Sequence, residues 1–238
     1  FDDFGHMLET NSQLIGRRLQ KSFDWEIEPL PRVMIPKKLD TDGKMTYRTM
    51  TYLGATDAVA VQSVFNIVGP ILDATLSRDS YGYRLNNDPA KHDWIFRDWR
   101  ECYPIFRDTI LGHLRNPTNT YYMCCDLKKY YDTIRHDILL QQIRGITSDP
   151  GVLSFVTKLL ASYHSEMGSG LGVPQGPPYA RILANLYLDE FDRETAEGTA
   201  GYARYVDDIY IFYRSREAAQ TGLRDLMSKL SRLGLSLS

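Results

Sequence analysis

The run Tyr205-Val206-Asp207-Asp208-Ile209-Tyr210-Ile211-Phe212 constrains the fold more than any other part of this chain. β-Branched and aromatic residues flank the two acids on both sides, which is how a pair of strands reads. Adjacent carboxylates in so apolar a context are costly unless they occupy a turn or bind cations. The phrase ARYVDDIYIFYRS therefore predicts two strands about a two-carboxylate turn. A further acid has an equivalent setting, since Asp126 ends the strand-forming run YYMCCD. Strand-end carboxylates brought side by side repel, and they stay ionised only with a divalent cation between them. Oxygen ligands of this kind suit Mg2+ or Mn2+. The chemistry matching that arrangement is two-metal phosphoryl transfer, in which one ion activates an attacking hydroxyl and the other clamps the leaving phosphates. Taken alone, an Asp-Asp pair reads as a solvated hairpin turn. Asp126, a glycine-rich Gln-Gly segment and a basic hairpin, all preceding the pair in one order, argue against that plain reading.

From residue 120 the pattern runs strand, helix, helix, hairpin, helix, hairpin, helix. That order predicts an α+β domain with a small antiparallel sheet covered by helices on one face. The predicted helices there cover residues 135–143, 152–163, the amphipathic phrase ARILANLYLDEFDRE, and 217–233, with SEMGSGLGVPQGPPY as a glycine-rich, hairpin-like stretch. Upstream, residues 7–23 predict a short helix with a basic face. Residues 24–36, interrupted by Pro29, Pro31 and Pro36, predict an edge strand or extended arm. Asp42-Gly43 is a turn signal between stretches carrying Lys37 and Lys38 on one side and Lys44 and Arg48 on the other. A helix is expected after Thr56, ended or kinked at Pro70, followed by a polar loop over 78–93. A second helix is expected over 94–114, kinked at Pro104, with Asn116-Pro117 marking a break.

Composition narrows the class. A chain of 238 residues that is 43% apolar and 12% aromatic is neither a disordered tail nor a small disulfide-stapled module. Lys plus Arg number 28 against 30 for Asp plus Glu, a net charge of -2 that does not advertise a nucleic-acid binder. The balance is compatible with a basic channel set against an acidic site. Cys102, Cys124 and Cys125 are too few and too irregular for a disulfide framework and read as free thiols in a reducing compartment. No run approaches the length of a membrane helix and no secretory leader opens the chain, so the expectation is a cytoplasmic protein without a membrane partner. The start at Phe1 and the stop at Ser238 suggest part of a longer protein.

The ordered set comprises the basic hairpin, the YGYR loop, the D-x-x-x-x-Y strand end from Asp126 to Tyr131, Pro174-Gln175-Gly176 with L-A-N-x-Y-L behind it, and Y-V-D-D. Over about residues 30–238 that set resembles the reverse transcriptase family. A lone Y-V-D-D is weak, whereas the whole set is strong. The phrase PQGPPYARILANLYL looks most like the bacterial group II intron, retron and phage-defence lineages. The resemblance implies a right-hand polymerase, with residues 1–117 as N-terminal segment and fingers, 118–238 as palm, and a thumb expected after residue 238. It implies an RNA-directed DNA polymerase using dNTPs, an RNA template, a DNA or RNA primer and two Mg2+ ions. A dedicated non-coding RNA, a protein partner and oligomerisation all stay open.

The resemblance also implies roles. Asp126 and Asp207 would hold both metals, with Asp208 as a secondary acid. Tyr131 would be the gate that collides with a 2′-hydroxyl, against the plain reading of a core tyrosine. Gln175 and Gly176 would form the turn against the nascent base pair. Lys37 and Arg48 would clamp the triphosphate, with Lys38 competing with Lys37 and a solvated basic hairpin as the plain alternative. Arg84 would approach template or fix the fingers to the palm, and Asp132 would cap the next helix. Tyr179-Ala180-Arg181 departs from the family's small hydroxyl residue here. It puts bulk and charge beside the expected primer–template site. That departure keeps a template-independent or repeat-synthesising polymerase open and favours antiphage defence as the role. An inactive nucleic-acid-binding palm is disfavoured by the three acids, and an RNA-dependent RNA polymerase by Tyr131.

Overall fold

The computed structural model describes residues 5–21, 25–86, 94–163, 165 and 167–238. Parts of four expected segments lie outside these: 22 and 23 of the first helix, 24 of the arm, 87–93 of the polar loop, and 166 of the glycine-rich stretch, with 164 just before it. A first helix, α1 (Leu8–Leu19), precedes the hairpin β1 (Arg32–Leu39) and β2 (Met45–Thr51). The turn chemistry works as the residues suggest. The Asp40 carboxylate accepts from the Asp42 and Lys44 amides at 3.0 and 2.7 Å, and Gly43 takes a positive φ of 75°. Pro36 does not interrupt β1, because the register shifts between Pro36 and Lys38, a bulge at the residue that has no N–H to give. Every residue of β1 is exposed, so that strand stands away from the core, while β2 ends at buried Thr51.

Helix α2 (Ala55–Thr75) continues past Pro70, which neither ends it nor stops its packing against α7. By length and composition α2 could cross a membrane, contrary to the sequence expectation that no segment could. Its polar fittings are those of a core helix. Buried Asp57 accepts from Trp25 Nε1 and the Glu28 amide, both at 2.9 Å, and buried Asp73 pairs with Arg84. Helix α3 (Trp99–Arg115) starts later than expected, because the Asp98 side chain caps it by accepting from the Arg100 amide. Residues ahead of that cap bridge Phe96 to Leu85 instead.

The second sheet contains β3 (Tyr121–Cys125), β4 (Gly201–Tyr205) and β5 (Asp208–Tyr213) in the antiparallel order β3-β5-β4. Between β3 and β4 come α4 (Tyr130–Thr133), α5 (His136–Ile146), α6 (Pro150–Ala161), α7 (Pro178–Tyr187) and α8 (Asp189–Glu197), and α9 (Arg216–Arg232) follows β5. The phrase expected as one helix breaks at Leu188 (φ -97°, ψ 0°) into α7 and α8. The glycine-rich stretch forms isolated bridges, Arg135 to Leu171 and Ser165 to Gly168, rather than a laddered hairpin.

The α+β class holds, but the sheet is not covered on one face alone. Strand alternation sends Tyr202, Arg204, Ile209 and Ile211 toward one side, where α8 and α9 pack. Tyr205, Tyr210 and Phe212 point to the other, and α3 lies there, with Phe106 against Tyr205 and Tyr210 and His113 stacked on Phe212 at 4.7 Å. The β3 end of that second face stays open, with Tyr122 and Cys124 exposed.

Candidate active site

Sheet register places the acids. Cys125 pairs with Ile209, so Asp126 leaves β3 at the level of the β4–β5 turn. Tyr205 pairs with Asp208, which makes the turn Val206-Asp207. The expected two-carboxylate turn thus holds one carboxylate, and Asp208 is the first residue of β5 on the other side. The Asp126 and Asp207 carboxyls lie near each other on the wall of one cleft. Burial pushes the Asp207 carboxyl above its ordinary value, and the nearby Asp126 and Asp208 carboxylates add to the rise. Asp208 is raised in the same way, first by burial and then by Asp126. Carboxylates crowded in this way repel one another, and a hard cation between their oxygens relieves that repulsion.

Val206 takes φ 62°, a left-handed conformation that is strained for a β-branched residue and costs on the order of 1–3 kcal/mol. Its surroundings hold it there. Arg204 Nη1 donates to the Val206 carbonyl at 2.8 Å, and Gly82 lies so close that a Cβ there would meet Val206 Cγ2 at 2.8 Å. Arg204 is fully buried and grips Asp192 bidentately at 2.7 and 2.6 Å, with further bonds to Asn185 Oδ1 and Ser80 Oγ. Tyr202 Oη donates to the same Asp192 at 2.6 Å, and Asn185 Nδ2 donates to the Gly82 carbonyl at 2.7 Å. Burial pushes the Asp192 carboxyl up while Arg204 opposes the rise. The sequence reading missed this network. Its one available signal was an arginine on the inward parity of a strand, level with Tyr202.

Around the acids lies a cleft of about 820 Å³. Its lining includes Asp126, Asp207 and Asp208, the hairpin cations Lys37, Lys38 and Arg48, then Tyr131, Gln175 and Gly176. Residues some 170 positions apart in the chain are thus brought together, cations on the hairpin wall facing carboxylates on the sheet wall. The cleft also takes in Lys128, Lys129, Asp132 and Arg181. Asp132 is not a cap. It sits inside α4, and α5 is preceded by Arg135 without a side-chain cap. Tyr131 is half-buried and packs edge-on against Tyr130 at 5.7 Å, and burial pushes its phenol above the ordinary range.

The Gln175-Gly176 turn is tied to the hairpin. The Thr51 amide donates to the Gln175 carbonyl at 2.8 Å, and Gly176 has φ 132° with its missing Cβ only 2.5 Å from the Thr51 carbonyl oxygen. Gly176→Ala is therefore expected to push the turn off the hairpin. A thermal melt should show the loss, with the melting temperature down by a few degrees for a cost of about 1.4 kcal/mol.

Two expected positions read differently in the structure. Tyr179 does not face the cleft. It is buried in α7 against Phe65, ring centroids 5.5 Å apart, and only Arg181 of that phrase reaches the site. Two residues, about half a turn of helix, separate inward from outward here, which the phrase alone did not reveal. Arg84 pairs with Asp73 at 2.9 Å and donates to the Ser77 and Ser80 carbonyls, so it fastens the YGYR loop to α2 and is not among the cleft residues.

Among the described residues, no group of three or more His, Cys, Asp or Glu side chains is arranged to hold a metal ion. The Asp126–Asp207 pair supplies only carboxylate oxygens, a donor set that fits Mg2+ or Mn2+ better than softer metals.

An α+β fold with small antiparallel sheets among helices, with strand-end carboxylates and hairpin cations on one cleft, is consistent with the nucleotidyltransferase fold of the reverse transcriptases. Residues 35–238 match the family described as reverse transcriptase (RNA-dependent DNA polymerase), and the chain belongs to it. It is 28% identical over 173 residues to the putative COX1/OXI3 intron 1 protein of Saccharomyces cerevisiae, covering 71% of this chain and 18% of that protein. It is 27% identical over 175 residues to protein YkfC of Escherichia coli, covering 70% of this chain and 41% of that one. The chain thus spans well under half the length of these relatives. Among solved structures, telomerase from Candida albicans in complex with a fragment of telomeric RNA matches with a TM-score of 0.58 at 10% identity, over 92% of this chain and 41% of that one. Apo telomerase from Candida tropicalis matches with a TM-score of 0.57 at 13% identity, over 90% of this chain and 44% of that one. At such identities the likeness is one of fold.

Proposed function

We propose that this protein is an RNA-directed DNA polymerase that adds dNTPs to a primer 3′-hydroxyl in the cleft between the hairpin and the three-stranded sheet. The observation that carries this reading is the convergence of the Asp126–Asp207 pair with Lys37 and Arg48 on one cleft. In this reading the hairpin unit serves as fingers and the sheet unit as palm, and the substrates are dNTPs with a primed RNA template. Asp126 and Asp207 would hold Mg2+, with Asp208 alongside. When bound there, Mg2+ supplies Lewis-acid activation of the hydroxyl and neutralises phosphate charge. The chain's own contribution is positioning. The buried Arg204 network fixes the turn that carries Asp207, the hairpin cations hold and neutralise the triphosphate, and the Gln175-Gly176 turn braces the hairpin.

Tyr131, in the cleft beside the acids, is the proposed sugar gate. Tyr131→Ala is expected to relax dNTP-over-rNTP preference by roughly 10- to 100-fold, since a steric clash of about 1.4–2.7 kcal/mol is removed. Competitive single-nucleotide incorporation measures it, and an unchanged preference would assign Tyr131 to packing alone. The antiphage role remains part of the proposal, and of the phrase Tyr179-Ala180-Arg181 that suggested it, Tyr179 lies in the core while Arg181 lines the cleft.

A second reading, a nucleic-acid-binding module without catalysis, draws on the lack of a three-ligand cluster among the described residues. Metal-dependent incorporation of labelled dNTP separates the two. Turnover that requires Mg2+ supports the polymerase, and nucleic-acid binding without turnover supports the module.

A further inference from the structure

We propose that a second pocket, lined by aromatic side chains and opening beside the carboxylate cleft, binds an unpaired stretch of nucleic acid by stacking its bases. The proposal deepens the polymerase reading and rests on it, because the strand it takes is the single-stranded part of that enzyme's substrate. The pocket has a volume of about 1040 Å³ and lies between the YGYR loop and the start of α3. Large apolar side chains there are left in water, with Trp94 56%, Trp99 61% and Tyr103 46% exposed. Such a group of exposed rings marks a binding surface rather than ordinary surface composition.

Three observations point to nucleic acid as the occupant. First, Tyr83, Arg181 and Tyr205 line both this pocket and the carboxylate cleft, so a strand leaving one enters the other. Tyr205 also immediately precedes the Val206-Asp207 turn. Second, the rings are paired with guanidinium groups. Arg181 lies 4.6 Å from the Tyr83 ring and 5.7 Å from Phe96, and Arg100 lies 5.5 Å from Trp99. Aromatic faces beside arginine planes form the platform on which unpaired bases stack, since every base has a π-face. Third, the pocket is open rather than a narrow slot, and Tyr103 stands in its wall with its ring nearly perpendicular to that of Tyr205 at 5.4 Å. The acids in the wall, Asp98 and Glu101, offset Arg97 and Arg181. Stacking rather than phosphate contact therefore supplies the affinity, and base-free polyanions should not compete.

The protein carries its own reporter. Of its three tryptophans Trp25 is buried at 1% exposure, while Trp94 and Trp99 line the pocket. Titration with a short single-stranded oligothymidylate is expected to quench tryptophan fluorescence saturably, whereas inorganic polyphosphate leaves it unchanged. The double variant Trp99→Ala, Tyr103→Ala alters exposed side chains and should fold. It is expected to lower oligonucleotide affinity on the order of tenfold or more, with Trp94 as the remaining reporter. In incorporation assays the same variant should raise KM for template bearing an unpaired overhang and leave kcat within about twofold. Equal quenching by polyphosphate, or unchanged oligonucleotide affinity in the double variant, would overturn the proposal. Incorporation of dNTP without any quenching sinks this inference and leaves the polymerase reading standing. Specific quenching without incorporation overturns the polymerase reading, and with it the assignment of the bound strand as that enzyme's substrate.

Discussion

Asp207→Asn is expected to lower dNTP incorporation by about a thousandfold or more while raising the melting temperature of the metal-free protein. The first effect follows from removing a charge that the transition state uses and the ground state does not need. The second follows from the sign of the shift. Burial and the neighbouring carboxylates raise the folded-state value of Asp207 above the ordinary 3.8, so the fold favours its protonated form. A group of this kind favours folding fully below its unfolded value, and that advantage is lost as pH rises through the folded one. At neutral pH without divalent cation the carboxylate is therefore a cost, and an uncharged isostere removes it. Melting curves with and without Mg2+, run beside the incorporation assay, check both halves. A variant that is inactive and also less stable would make Asp207 a structural acid.

The largest loss of stability is expected from Arg204→Ala. Its guanidinium is fully buried, and its removal leaves Asp192 buried with only Tyr202 to donate. Breaking a buried ion pair from one side costs about 3–5 kcal/mol, which for a domain of this size lowers the melting temperature by roughly 10 °C. The Val206 carbonyl also loses its 2.8 Å donor, so the strained turn is freed to relax and to move Asp207. Thermal melting measures the first effect, and activity per folded molecule the second. Arg204→Lys keeps charge but not the two-pronged grip, and should fall between wild type and Ala on both scales. A melting temperature within about 2 °C of wild type for Arg204→Ala would contradict the account of the network.

Local chemistry made much of this legible in advance. Asp42-Gly43 between alternating stretches is a turn whatever surrounds it, and the hairpin formed with its cations at the expected place. The strand ending at Asp126 and the two strands around Val206-Asp207 were readable because β-branched and aromatic runs have few alternatives. What the residues alone could not reveal depends on three-dimensional neighbours. Pro70 does not end its helix, because burial of Phe65, Val68 and Leu72 carries α2 through to Thr75. Tyr179 and Arg181 are two positions apart, and only the orientation of α7 decides that one enters the core and the other the cleft. Arg204 read as a strand residue without a role, because its partners Asp192, Asn185 and Ser80 come from separate elements. The second face of the sheet, under α3, was hidden for the same reason. Phe106 and His113 reach it from a helix that precedes every strand of that sheet.

The central claim is that the carboxylates and the hairpin cations together transfer nucleotides. Its most direct test is extension of a labelled primer on an RNA template by the intact protein with Mg2+, with the product sequenced. The account predicts DNA complementary to the template, formed only with divalent cation and absent with Asp207→Asn. Mg2+-dependent extension that persists at a near wild-type rate in Asp207→Asn would contradict it.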